Sequence, residues 1–176
     1  MAGGVSMNAR VKKNLGLVLA IVFIVGIVGS TCFVILSFLP PDKDKMAQYF
    51  ERDKNELLLA AEYFENSDYS YIYIDKSRCE KGLMFTGPYT RDKEIEDKTV
   101  MKALNYLFKN RGYHVVGRDG NTVFFQKYSV LGSDRGIAYS INGEDDPVVE
   151  FVVRLDKLGD DGWFYYEANY EEFRNQ

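Results

Sequence analysis

Histidine, cysteine and proline are scarce in this sequence, with one, two and four copies in 176 residues, and no acidic residue precedes Asp42. A single histidine, His114, excludes a multi-histidine metal centre. Without a glycine-flanked serine elbow it also excludes the usual Ser-His hydrolase pattern, and it reads as an ordinary strand-end residue. The two cysteines, Cys32 in an apolar run and Cys79 well beyond it, exclude a disulfide framework. Cys79 reads as a partly buried, unreactive thiol. No Asn-x-Ser/Thr sequon occurs, which argues against a eukaryotic secretory route and favours a bacterial envelope. No internal period or low-complexity tract is present. Glycine does not occur in a phosphate-cradling pattern, and "GSDRG" at 132–136 is not followed by a helix start, so no cofactor is expected. The acidic turns "NGEDDP" and "GDDG" lack the ligand spacing of a calcium loop and read as solvated connections, so no metal is expected either.

Charge is also missing from one long stretch. From Leu15 to Leu39 every residue is apolar, glycine or a small polar type. As a helix rising about 1.5 Å per residue this run would reach roughly 37 Å, more than the roughly 30 Å hydrocarbon core of a bilayer. Pro40 and Pro41 would stop it. A cleavable signal has an apolar region of about 7–15 residues before its cleavage site; here Gly29-Ser30-Thr31 is followed by more apolar sequence. A lipoprotein site at Cys32 would want a bulky aliphatic where Gly29 stands. The expectation is therefore a cytoplasmic basic tail over 1–14, a transmembrane helix over 15–39 in contact with the lipid bilayer, a juxtamembrane linker or helix over 40–52, and an extracytoplasmic domain over 53–176. Orientation follows from Arg10, Lys12 and Lys13 in a short tail ahead of the first apolar segment. Gly16/Ala20 and Gly26/Ser30 permit close helix packing, but such pairs are common by chance, so dimerisation through this segment is not the expectation.

Beyond Leu39 the chain carries nineteen basic against 26 acidic residues, a net charge of −7. That surface excludes nucleic acid as a partner, which needs clustered Lys and Arg. The spacing predicts a helix over about 54–66, with Asp53 and Glu56 as a capping box and Leu57, Ala60, Ala61 and Phe64 on one face. Residues 43–52 form a separate turn or its continuation. "YSYIYID" alternates as a strand. Residues 75–93 read as loop, with a short strand at Leu83–Thr86. A second helix ends at Gly112, with Val100, Leu104, Leu107 and Phe108 on one face. Period-two segments follow, beginning with a hairpin at Asp119-Gly120. The expected fold class is α+β: an N-terminal single transmembrane helix followed by an antiparallel meander sheet of four to five strands packed on two helices.

What is abundant is aromatic: 23 rings lie beyond Leu39, including all 13 tyrosines. Such rings fill cores and also make binding surfaces for proteins and sugars. In the last strand Trp163, Tyr165 and Glu167 share one parity. The set ending in glutamate is expected to face outward, with Phe124 and Tyr128 extending it, so the candidate binding patch is Trp163, Tyr165, Phe124 and Tyr128. The functional expectation is a membrane-anchored, non-catalytic binding module of the cell envelope whose partner is an envelope protein, a peptide or a cell-wall glycan. Its rivals are a cell-wall hydrolase whose acidic residues meet only in space, and a cytoplasmic domain with the opposite topology.

Overall fold

The computed structural model describes residues 22–28, 40–87, 91–141, 143, 146–159 and 162–175. The chain divides into two units, Met1–Leu39 and Pro40–Gln176. In the first, residues 22–28 are helical (α1), with Val22, Phe23 and Val25 each more than 60% exposed. The expected transmembrane helix is corrected to this extent: among the described residues no helix is long and apolar enough to cross a membrane. Apart from 22–28, the run 15–39 lies outside the described residues, as does the basic tail.

The second unit begins with a single helix, α2 (Lys43–Glu65), so the separate turn and the later helix are one element. Its cap is Asp42, whose side chain accepts from the Lys45 N–H at 2.9 Å, just after Pro40 and Pro41. Met46, Phe50, Leu57, Ala61 and Phe64 form its buried stripe at three- and four-residue spacing. Asp53, expected as a cap, occupies a buried position inside that stripe. Five elements follow: β1 (Tyr71–Asp75), α3 (Lys76–Glu80), β2 (Leu83–Thr86), β3 (Arg91–Glu94) and α4 (Lys98–Asn110). Asp97 caps α4 through the amides of Thr99 and Val100, and beyond its end Gly112 turns at φ 65°, where a side chain would be strained. The chain then runs β4 (Val115–Asp119), β5 (Thr122–Val130), β6 (Ser133–Ser140), β7 (Val152–Lys157), β8 (Trp163–Asn169) and α5 (Tyr170–Arg174).

All strand pairs are antiparallel, in the order β3-β2-β1-β4-β5-β6-β8-β7. The domain is α+β, but the expected four-to-five-strand meander on two helices is corrected: the described residues form eight strands and five helices, α1 included. The surplus comes from the segment read as loop, where α3, β2 and β3 are only four or five residues long, too short to carry a period. The order is also not a simple meander, because β8 enters between β6 and β7. Its residues Trp163 to Tyr166 are all buried, whereas β7 carries Arg154, Asp156 and Lys157. The apolar strand therefore takes the interior position and the charged one the edge, where unpaired backbone stays wet. At the other edge all four residues of β3 are exposed and charged.

Helices α2 and α4 cover one face of the sheet. Leu57 and Phe64 of α2 and Leu104 and Leu107 of α4 cluster with Ile72, Ile74, Val116, Phe125 and Ile137, each fully buried. Each such side chain contributes about 1.5–3 kcal/mol by leaving water. Arg118 of β4 ties the sheet to the end of α2, donating from Nη1 to the Phe64 and Ser67 carbonyls at 2.5 and 3.1 Å. Among the described residues the opposite face carries no long helix, and the candidate site lies there.

Candidate functional site

The four residues expected to form one outward patch are distributed over both faces. Trp163 is 1% exposed and Tyr165 fully buried, both in the helix-covered core. The indole packs against Tyr139 and Phe50, with ring centroids 4.8 and 5.1 Å away. Their expected outward facing is thus reversed. Glu167 does share their face, but at its margin: it accepts from the Tyr165 hydroxyl at 2.5 Å and pairs with Arg135 at 3.2 Å. A paired glutamate at the rim does not mark a solvent face. Phe124 and Tyr128 do not share a face either. Strand β5 bulges between Gln126 and Tyr128, and one extra residue inverts the parity beyond it. Tyr128 then lies opposite Arg135, the partner of Glu167 on the helix side.

Phe124 remains on the open face, and a cleft of about 630 Å³ is built around it. Two rows of cross-strand neighbours make the floor. One runs Tyr73, Gly117, Phe124, Ala138, Phe164 and the next Val115, Gln126, Gly136, Tyr166. The glycines in these rows are notches. A Cβ on Gly117 would stand 2.7 Å from Phe124 Cζ, and one on Gly136 would stand 2.7 Å from Tyr166 Cε1. The absence of a side chain therefore lets each ring lie down across the sheet. The result is a flat aromatic surface instead of a ridge.

Segment 148–151 passes over one side of this floor. The Val148 N–H donates to Thr122 Oγ1 at 2.8 Å, Val149 packs on the cluster of Ala138, Phe164 and Tyr166, and the Asn169 N–H donates to the Phe151 carbonyl at 2.9 Å. Phe151 adopts φ 57°, a strained conformation for a bulky residue. Edge-on contacts with Tyr170 and Phe173, at 5.1 and 5.9 Å, help hold it there.

One polar side chain of the cleft comes from the middle of β8: Tyr166 is 2% exposed and lines the cleft. Burial, with Asp134 adding its charge, pushes its ionisation far above the ordinary phenol range, so it is a neutral O–H donor. Tyr73, on the same floor, is likewise raised by burial and then by Asp75. His114, Ser129 and Asp134 all line the cleft, but no hydrogen bond joins any two of their side chains among the described residues. The arrangement that activates a serine is missing. Asp119 and Glu150 reach the rim as exposed side chains. No group of His, Cys, Asp or Glu able to hold a metal ion occurs among the described residues.

A larger concavity, about 740 Å³, lies beyond the C-terminal end of α2 and is lined by Glu62, Asp68, Glu94, Glu96 and Asp97. Asp97 is committed to capping α4, and no unpartnered buried group points into this groove, so it reads as a solvated acidic channel. The sequence also gave no signal for a charged cluster under the helices. The fully buried Asp53 carboxylate accepts from Arg52 Nε and Nη2 at 2.7 and 2.6 Å and from the Tyr113 hydroxyl at 3.2 Å. Arg111 Nε lies 3.0 Å away as an ion pair without hydrogen-bond alignment. Lys127, the residue at the β5 bulge, packs its ammonium over Tyr113 and Tyr49 at 4.5 and 4.9 Å. Burial, with Arg52 beside it, lowers its pKa to about 8. This cluster satisfies a buried charge and joins α2, α4 and β5. The sequence matches no family model, no curated protein and no solved structure.

Proposed function

We propose that this protein is a non-catalytic binding module of the bacterial cell envelope. The apolar segment 15–39 holds it at the plasma membrane, the domain lies outside, and the aromatic cleft on the open sheet face is its ligand site. The observation that carries this reading is the cleft itself, about 630 Å³ on the open sheet face, with the Phe124 ring laid over Gly117 and the Tyr166 ring over Gly136. The neutral Tyr166 hydroxyl on its wall offers a ligand one donor. The Phe124 ring laid over Gly117, with Tyr73 further along the cleft, suits a sugar face or an extended peptide. Exposed carboxylates on the rim favour a neutral or basic ligand over an anionic one.

The test is titration of cell-wall glycan fragments and short peptides into the Pro40–Gln176 unit, followed by Tyr166→Phe, which removes only the oxygen. Binding should weaken about fivefold, for a lost hydrogen bond of about 1 kcal/mol. Stability should change little, because the substitution keeps the ring and removes a single oxygen at the cleft wall. A Tyr166→Phe variant that binds as well as the parent, or glycans and peptides that fail to bind the parent, would remove the cleft from consideration.

A further inference from the structure

The open face of the sheet places carboxylates at both ends of its aromatic floor. Side chains on one face recur every second residue, so successive rows lie about 6.7 Å apart. The first row holds Asp119 opposite Tyr71, the second Phe124, the third Tyr166, and the fourth, beyond the bulge, Asp134 opposite Ser129. Asp119 and Asp134 therefore stand three rows, or about 20 Å, apart along the strands. Glu150 adds a third carboxylate from the segment that crosses the floor. None of the three forms an ion pair among the described residues. No lysine or arginine lines the cleft.

The rings of the second row already attract cations at its two ends. Arg78 lies over Tyr73, with Cζ 5.7 Å from the ring centroid, and Lys157 over Phe164 at 5.9 Å. Asp75 and Asp92 hold Arg78 in place at 2.6 and 3.5 Å. Phe124, between those ends and only half-buried, has no cation over its ring among the described residues. The face of an aromatic ring is negative, so Phe124 with Asp119 one row away draws a cation by two additive attractions. An uncharged sugar would use the ring alone. Size separates a peptide from a small amine. Strands β1, β4, β5, β6 and β8 are neighbours in the sheet and all contribute to the lining, a width of about 19 Å at about 4.8 Å per strand. An extended chain of about six residues spans such a distance, whereas a single amine leaves most of the 630 Å³ unfilled.

We infer that the ligand of this cleft is an extended peptide bearing lysine or arginine, with one cationic side chain laid over the Phe124 ring beside Asp119 and the chain running toward Asp134. The inference rests on the cleft being the ligand site, as proposed above, and narrows its occupant to a basic peptide.

The test passes a pool of random nonapeptides over the immobilised full chain in a neutral detergent and sequences what is retained. Lysine and arginine should be enriched, and aspartate and glutamate depleted. The most strongly retained peptide should bind about fivefold more weakly once its basic residues are replaced by glutamine. Phe124→Leu and the double variant Asp119→Asn/Asp134→Asn should each weaken it by a similar factor. Both aspartates are at least partly exposed, so the double variant keeps the fold, which emission from Trp163 in the opposite, helix-covered core verifies. Glu62→Gln/Glu94→Gln, in the acidic channel beyond α2, should bind as the parent does. Retention without enrichment of basic residues overturns this inference, as does a loss that follows Glu62 and Glu94 in place of Asp119 and Asp134. An N-acetylglucosamine tetramer that binds in a Phe124-dependent way while no basic peptide does overturns it too, yet leaves the cleft as the ligand site. If neither peptides nor the tetramer bind, the ligand site itself is overturned and this inference falls with it.

Discussion

Truncation of Trp163 to alanine tests the placement of the last long strand most severely, because the sequence pattern and the structure put this residue on opposite faces. In the structure the indole is 1% exposed and meets Tyr139, Phe50 and Phe125 at centroid distances of 4.8, 5.1 and 6.0 Å. Removing a fully buried tryptophan costs about 3–5 kcal/mol, made up of lost transfer energy and the cavity that stays behind. A domain of this size is stable by about 5–15 kcal/mol in total, so Trp163→Ala should forfeit about a fifth of it or more. With a urea slope of about 2 kcal/mol per molar, the midpoint should fall by about 2 M while the slope stays unchanged. The assay is urea unfolding of the Pro40–Gln176 unit followed by far-ultraviolet dichroism, since the variant loses the only tryptophan. The parent supplies an independent reading: Trp163 emission should be blue-shifted and shielded from iodide until the transition. A variant within 1 kcal/mol of the parent, or a parent whose tryptophan is quenched as freely as in unfolded chain, would return Trp163 to the surface and refute the face assignment of β8.

Gly136→Ala should destabilise by about 1–3 kcal/mol, because the new Cβ would lie 2.3 Å from the Phe125 carbonyl and 2.7 Å from the Tyr166 ring. It should also lower affinity for any cleft ligand, whereas unchanged stability would show that the ring does not lie over the glycine. The stability difference between the parent and Lys127→Met should be constant below about pH 8 and shift in the parent's favour from there to 10.5. Over that window the unfolded lysine holds a proton that the folded one has lost. The parent alone is a poorer readout, because Cys79 above about pH 9, and Tyr113, Tyr165 and Tyr166 above about pH 10, have raised folded values and act in the opposite sense. Urea midpoints of both proteins across this range check the difference, and a pH-independent gap would remove Lys127 from its half-buried place over the tyrosines.

Local signals along the chain determined a good part of this protein by themselves. The buried stripes of α2 and α4, the strand at Leu83–Thr86 and the stop at Gly112 were all legible, since a 3.6- or two-residue period and a glycine with positive φ are properties of a few neighbouring residues. The turn after β4 was legible to within one position: Asp119 pairs with Thr122, so the turn residues are Gly120 and Asn121. Only the tertiary structure decided which face of the sheet meets the helices. Parity along β8 separates Trp163 and Tyr165 from Phe164 and Tyr166, but both sets are aromatic, and alternation cannot say which the helices will cover. The bulge after Gln126, which parts Phe124 from Tyr128, is one extra residue with no compositional mark. Asp53 looks like a cap in the sequence because its partners Arg111 and Tyr113 come from beyond α4, far along the chain. The cleft depends on Gly117 and Gly136 lying beside Phe124 and Tyr166 on neighbouring strands. Such juxtapositions are set by strand register, and register is fixed by the packing of the whole sheet at once.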